Sequence, residues 1–150
     1  MRPAIHNFKY RNQRILDQDF APLLAKCYRD NQLETEVIVP VPLHASRYKE
    51  RGYNQSELLA NGLATLINQP VDKKTLIRRR ATQSQISLSA AERHKNVAEA
   101  FACTSTALSR KSVLLIDDVC TTGATLNACA QALKRAKVRS VYGLTLAQAY

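Results

Sequence analysis

The sequence predicts an α/β domain built on a mainly parallel sheet with helices on its faces, and three observations carry that prediction. The run Val113-Leu114-Leu115-Ile116 is apolar at every position and rich in branched side chains, as expected of a parallel strand covered on both sides. Short runs of this kind alternate with segments of helical periodicity along the chain. Finally, 150 residues with 45% hydrophobic content are enough for one compact core and too few for two, so residues 1–150 read as a single domain, with an N-terminal helical region over about 1–34 and a core over about 35–150.

The elements follow in order. Ile15 to Asp30 has helical spacing, with Ile15, Leu23, Leu24 and Cys27 on or near one side, and ends in the polar turn Asn31-Gln32. Val37-Ile38-Val39 reads as a strand closed by Pro40 and Pro42, which cannot continue a ladder. Ala45 to Glu50 is a candidate short helix. From Gln55 to Asn68, Leu58, Leu59, Leu63, Leu66 and Ile67 recur at helical intervals. Leu76-Ile77 is a candidate short strand, and the segment from Arg78 to Val97 carries little apolar content. Within it, Ser89-Ala90-Ala91-Glu92 has the form of a capping box. After the Val113 strand comes a helix to about Ala136 using Leu126, Cys129, Ala130 and Leu133, then a last strand near Val141 to Leu146. No internal repeat or low-complexity tract is visible.

Several classes are excluded by composition and pattern. No apolar stretch approaches the ~20 residues needed to cross a bilayer, and the start Met1-Arg2-Pro3-Ala4-Ile5-His6 lacks the apolar core of a signal peptide. A soluble, cytoplasmic protein without membrane insertion is the expectation. Cys27, Cys103, Cys120 and Cys129 are scattered and form no C-x-x-C pair, which speaks against a zinc module or a disulfide framework and for buried or site-lining thiols. Neither G-x-x-x-x-G-K-[ST] nor G-x-G-x-x-G occurs. The formal net charge of +10 suits a polyanionic partner. Some basic residues, such as Arg47, Arg51 and Arg78 to Arg80, lie near the candidate site described next. Others, such as Lys134, Arg135, Lys137 and Arg139, lie elsewhere in sequence, which keeps a nucleic-acid surface open beside plain solvated helix faces.

The densest chemistry follows the Val113 strand. Asp117 and Asp118 fall at its carboxyl end, where open α/β sheets bind ligands, and carboxylates there accept hydrogen bonds from a vicinal diol, directly or through a bound cation. Cys120, Thr121, Thr122, Gly123, Ala124 and Thr125 then supply successive backbone N–H groups, three hydroxyls and one position without a side chain. The following helix directs the positive end of its dipole at the same point. A ribose at one end and its phosphate at the other fit this segment. A second constellation follows the first strand: Pro40-Val41-Pro42-Leu43-His44, then Arg47 and Arg51-Gly52-Tyr53-Asn54-Gln55-Ser56. Backbone N–H groups of Leu43 and His44, with Arg47 and Arg51 at helical spacings of three and four, suit pyrophosphate.

The run Val113 to Thr125 closely resembles the binding loop of the type I phosphoribosyltransferases, and the Pro40 to Ser56 block is similar to the competence protein F family of that fold. Arg80, Thr82, Gln83, Leu88, Arg93, Asn96 and Phe101 are spaced as in that family's mobile region. The resemblance implies a type I phosphoribosyltransferase fold with a small N-terminal hood, and 5-phosphoribosyl-1-pyrophosphate (PRPP) as ligand. It implies displacement of pyrophosphate at the anomeric carbon with Asp117 and Asp118 as catalytic candidates, and Arg80, Gln83 and Arg93 on a loop that closes over the ligand. It further implies Mg²⁺ carried by the ligand and touching Asp117 and Asp118 at most, an unknown acceptor, and a role in competence and DNA uptake. A non-catalytic PRPP or nucleotide-binding protein, or a DNA-uptake accessory working through its basic surface, is the alternative. Single-stranded DNA, a competence helicase and a second copy of the chain are the candidate macromolecular partners. Phe8, Tyr10 and Tyr53 are candidates for stacking a base or for packing. Many members of the family begin with a four-cysteine zinc module, and this sequence contains no such cluster.

Overall fold

The computed structural model describes residues 16–79 and 100–148. Nine elements occur among them: α1 (Leu16–Asp30), β1 (Val37–Pro40), α2 (Ala45–Arg51), α3 (Gln55–Ile67), β2 (Leu76–Arg78), β3 (Phe101–Cys103), β4 (Ser112–Cys120), α4 (Ala124–Arg135) and β5 (Ser140–Gln148). Three strands form a parallel sheet in the order β1-β4-β5. Such neighbours need helical crossovers, and α4 supplies one between β4 and β5. The sheet is thus α/β and parallel, as expected.

Period-two alternation divides the core into two layers. Ile38, Leu114, Ile116 and Leu144 face Phe20, Leu24 and Ala25 of α1 and Leu59, Ala60 and Leu63 of α3. Val37, Val39, Val113 and Leu115 face Ala128, Cys129, Ala132 and Leu133 of α4, together with Leu76 and Phe101. Burial on both faces accounts for the unbroken apolar run of β4.

Four expectations are corrected in detail. The strand carrying the carboxylates does not stop at Ile116 but runs through Asp117, Asp118 and Val119 to Cys120, because β5 pairs with it as far as Cys120↔Gln148. Pro40 is the last residue of β1 rather than the first beyond it. Val41 N donates to Ile116 O at 2.9 Å, whereas Ile38 N donates to Pro70 O at 2.9 Å, so the missing N–H of residue 40 falls on the Val71 side, past the single bridge Ile38↔Val71, and costs no ladder bond. Helix α1 buries Phe20, Ala21, Leu24 and Ala25, while Leu23 is 55% exposed. Among the cysteines, Cys27 is exposed rather than buried or site-lining.

Leu76-Ile77 is a strand, paired antiparallel with Phe101–Cys103 in a separate ribbon. The chain between these strands includes 80–99, so the capping box and the candidate loop residues Arg80, Gln83 and Arg93 lie outside the described residues. Phe8 and Tyr10 do too, with the rest of 1–15. The described part of the N-terminal region, α1, packs on α3 and the sheet.

Candidate functional site

The parallel register places the two sequence constellations side by side. Pro40 pairs with Ile116, so the chain leaving β1 emerges beside Asp117 at the carboxyl end of the sheet, the edge where ligands of such sheets bind. On the β1 side, His44 begins α2 and serves as its cap: Nδ1 accepts from Ser46 N at 3.3 Å and lies 2.8 Å from Ser46 Oγ. Helix α2 buries none of its residues, which leaves Arg47 exposed and Arg51 half-buried at the surface of the site. Gly52 ends it with φ 76°, a left-handed value that glycine adopts without strain. Tyr53 is 6% exposed and packs inside the fold, so it is not a stacking platform.

On the β4 side the adjacent carboxylates are not equivalent. Successive strand residues point to opposite faces. Asp117 lies on the α4 side, near enough to Cys129 and Arg78 to act on both electrostatically. Its Oδ1 accepts from Ser56 Oγ at 2.9 Å and from Asp118 N at 3.0 Å. Asp118 is 8% exposed, and its Oδ1 accepts from Val119 N at 2.7 Å.

Beyond Cys120 the chain turns through exposed Thr121 and Thr122 into α4. Gly123 sits at the cap position with φ 74°, and no side chain caps the helix. Thr122 Oγ1 reaches only Ala124 N, at 3.4 Å. The first-turn amides of a 12-residue helix therefore face outward with its positive dipole end, as an anion requires.

Two further parts of the site have contacts that are not evident from the sequence. Arg78 is there only one member of a basic run; in the fold it closes the site from the ribbon, with its guanidinium carbon 5.3 Å from the centroid of the Phe101 ring. Burial first, and then the charge of Arg47, push its pKa down, while Cys129 and Asp117 oppose that. Arg47, Arg78 and Asp117 thus converge, because the pairing of Pro40 with Ile116 sets the segment after β1 beside the end of β4. Asn54 and Ser56 are the second part. Asn54 caps α3 by accepting from Ser56 N at 3.1 Å, and its Nδ2 donates to Val41 O at 3.0 Å. A groove of about 440 Å³ runs beside the site, bounded by Pro42, Leu43, Asn54 and Arg78.

An open helix N-terminus, adjacent carboxylates and a basic loop thus meet at the carboxyl end of a parallel α/β sheet, where such sheets take their ligands. The chain belongs to the phosphoribosyl transferase domain family, whose model matches residues 10–148. More narrowly, it is similar to Competence protein F of Haemophilus influenzae, at 37% identity over 97% of this chain and 66% of that protein. It is also similar to Competence protein ComFC of Bacillus subtilis, at 30% identity over 97% of this chain and 59% of that protein. The resemblance to the competence protein F family is thus borne out, and the chain spans less than two thirds of the length of these relatives. Among solved structures, glutamine PRPP amidotransferase from B. subtilis matches with a TM-score of 0.58 and 21% identity, covering 87% of this chain and 26% of that one. Purine phosphoribosyltransferase from Pyrococcus horikoshii matches with a TM-score of 0.53 and 17% identity, covering 87% and 70%. These likenesses show the fold.

Proposed function

We propose that the chain binds PRPP at this edge and transfers its phosphoribosyl group to an acceptor, in the setting of competence that its relatives' names carry. The observation that supports the reading most is the uncapped start of α4 at Gly123, directly after the carboxylates of β4. The 5-phosphate fits the amides of 121–125 and the hydroxyls of Thr121, Thr122 and Thr125. The diol fits the carboxylates, and the pyrophosphate fits Leu43, His44, Arg47 and Arg51, with Arg78 opposite. Displacement at the anomeric carbon asks chiefly for positioning and for charge that meets the leaving group, and the arginines supply that charge.

Mg²⁺ fits as an ion carried by the ligand. No group of three His, Cys, Asp or Glu side chains gathers among the described residues, whereas Asp117 and Asp118 offer hard oxygen donors to an ion or its waters. An ion held there would supply positive charge against that of the leaving pyrophosphate. Asp117 and Asp118 orient the diol or those waters.

Isothermal titration of PRPP with Mg²⁺ into the wild type and an Asp117→Asn, Asp118→Asn variant tests the reading. Binding that the variant loses supports it. A folded wild type that binds no PRPP overturns it.

A second reading rests on the opposite edge of the sheet. Arg110 N donates to Lys137 O at 2.8 Å and Arg139 N to Lys111 O at 2.9 Å, so two loops gather exposed Arg110, Lys111, Lys137 and Arg139. Glu36 pairs with Arg139 at 2.7 Å. Single-stranded DNA suits such an edge, and its affinity should fall steeply with salt. No helix among the described residues is long and apolar enough to cross a membrane.

A further inference from the structure

The two ligand loops are joined by a buried segment. Asn54, Gln55 and Ser56 are 6%, 2% and 4% exposed. From the β1 loop, Val41 O accepts from Asn54 Nδ2 at 3.0 Å, Asn54 Oδ1 accepts from Ser56 N at 3.1 Å, and Ser56 Oγ donates to Asp117 Oδ1 at 2.9 Å. One helix N-terminus therefore links the first residue after β1 to a carboxylate of β4.

The Ser56 hydroxyl is not needed for the cap, which Asn54 completes through the backbone N–H of Ser56. It is a buried polar group whose desolvation requires a partner, and the partner is 61 positions away in sequence. Rotation of an aspartate about its last torsion is broad unless something restrains it. Here two donors, Ser56 Oγ and Asp118 N, hold the same oxygen of Asp117. Charge-assisted bonds of this kind are among the stronger ones available.

We propose that Ser56 is a positioning residue that sets the orientation of the Asp117 carboxylate toward the ribose of the bound ligand. This rests on the reading of Asp117 as a ribose contact. Ser56 acts on the sugar part of the site and not on the pyrophosphate part, because the bond from Asn54 to the β1 loop does not involve its hydroxyl.

The test is isothermal titration of PRPP with Mg²⁺, ribose 5-phosphate and inorganic pyrophosphate into the wild type, Ser56→Ala, Asp117→Ala and the double variant. Folding is checked by circular dichroism, and Ser56→Cys serves as a second, near-isosteric variant. Ser56→Ala should weaken PRPP and ribose 5-phosphate by roughly tenfold, leave pyrophosphate affinity unchanged, and add no further loss in the Asp117→Ala background. An equal loss in both backgrounds, or an equal loss for pyrophosphate, would overturn the proposal while leaving the ligand assignment intact. A wild type that binds neither sugar phosphate removes the ligand assignment, and the role of Ser56 falls with it.

Discussion

Helices α3 and α4 begin at the same edge of the sheet and begin differently. The start of α3 is buried and closed: Asn54 caps it and reaches Val41 O. The start of α4 is half-exposed and open, with left-handed Gly123 in the cap position and no capping side chain. A cap satisfies amides for the sake of the fold, whereas bare amides can receive an anion. Substitutions at the two positions should therefore separate stability from binding.

The largest expected effect is on binding. Gly123→Val forces a branched side chain into φ 74° and should lower PRPP affinity by about a hundredfold or more, read by titration, at a stability cost of about 1–2 kcal/mol. Asn54→Ala should reverse the balance. It removes a cap and strands a buried carbonyl, so unfolding by urea should show a loss of about 2 kcal/mol.

The turn after α3 extends the comparison to a carboxylate that serves the fold. Burial alone would raise the pKa of Asp72, but hydrogen bonds from Thr75 Oγ1, Thr75 N and Lys74 N outweigh it and hold it below the usual carboxylate range. A lowered folded pKa gives stability that is present above the unfolded pKa and lost as pH falls through the folded one. Asp72→Ala should therefore destabilise the protein at neutral pH and flatten its decline in acid, measured by thermal unfolding across pH. The smallest effect is expected at His44. It caps a helix that buries nothing, so His44→Ala should change stability by less than about 0.5 kcal/mol, measured by the same urea unfolding.

Much of the fold is legible in the sequence because burial on two faces leaves an unbroken apolar run and burial on one face leaves a helical period. The Val113 strand, α3 and α4 are of this kind. The face of α1 is not: Leu23 and Leu24 are equally apolar, and only packing against α3 and β4 selects Leu24. The end of β4 is hidden because polar residues ordinarily signal a strand's end, yet pairing with β5 carries it through Asp117 and Asp118. Of the site, the β4 carboxylates and the turn after them can be read from local chemistry. What Arg78 and Ser56 touch cannot, since their partners lie far away in sequence.

The sequence by itself determined where the candidate site lies, because its groups are local: carboxylates, hydroxyls, one glycine and a helix start occupy nine consecutive positions from Asp117 to Thr125. Only the tertiary structure decided which distant groups serve it. Parallel pairing of β1 with β4 brings the β1 loop, the start of α3 and Asp117 together, and such pairing depends on the packed core rather than on any short stretch of chain.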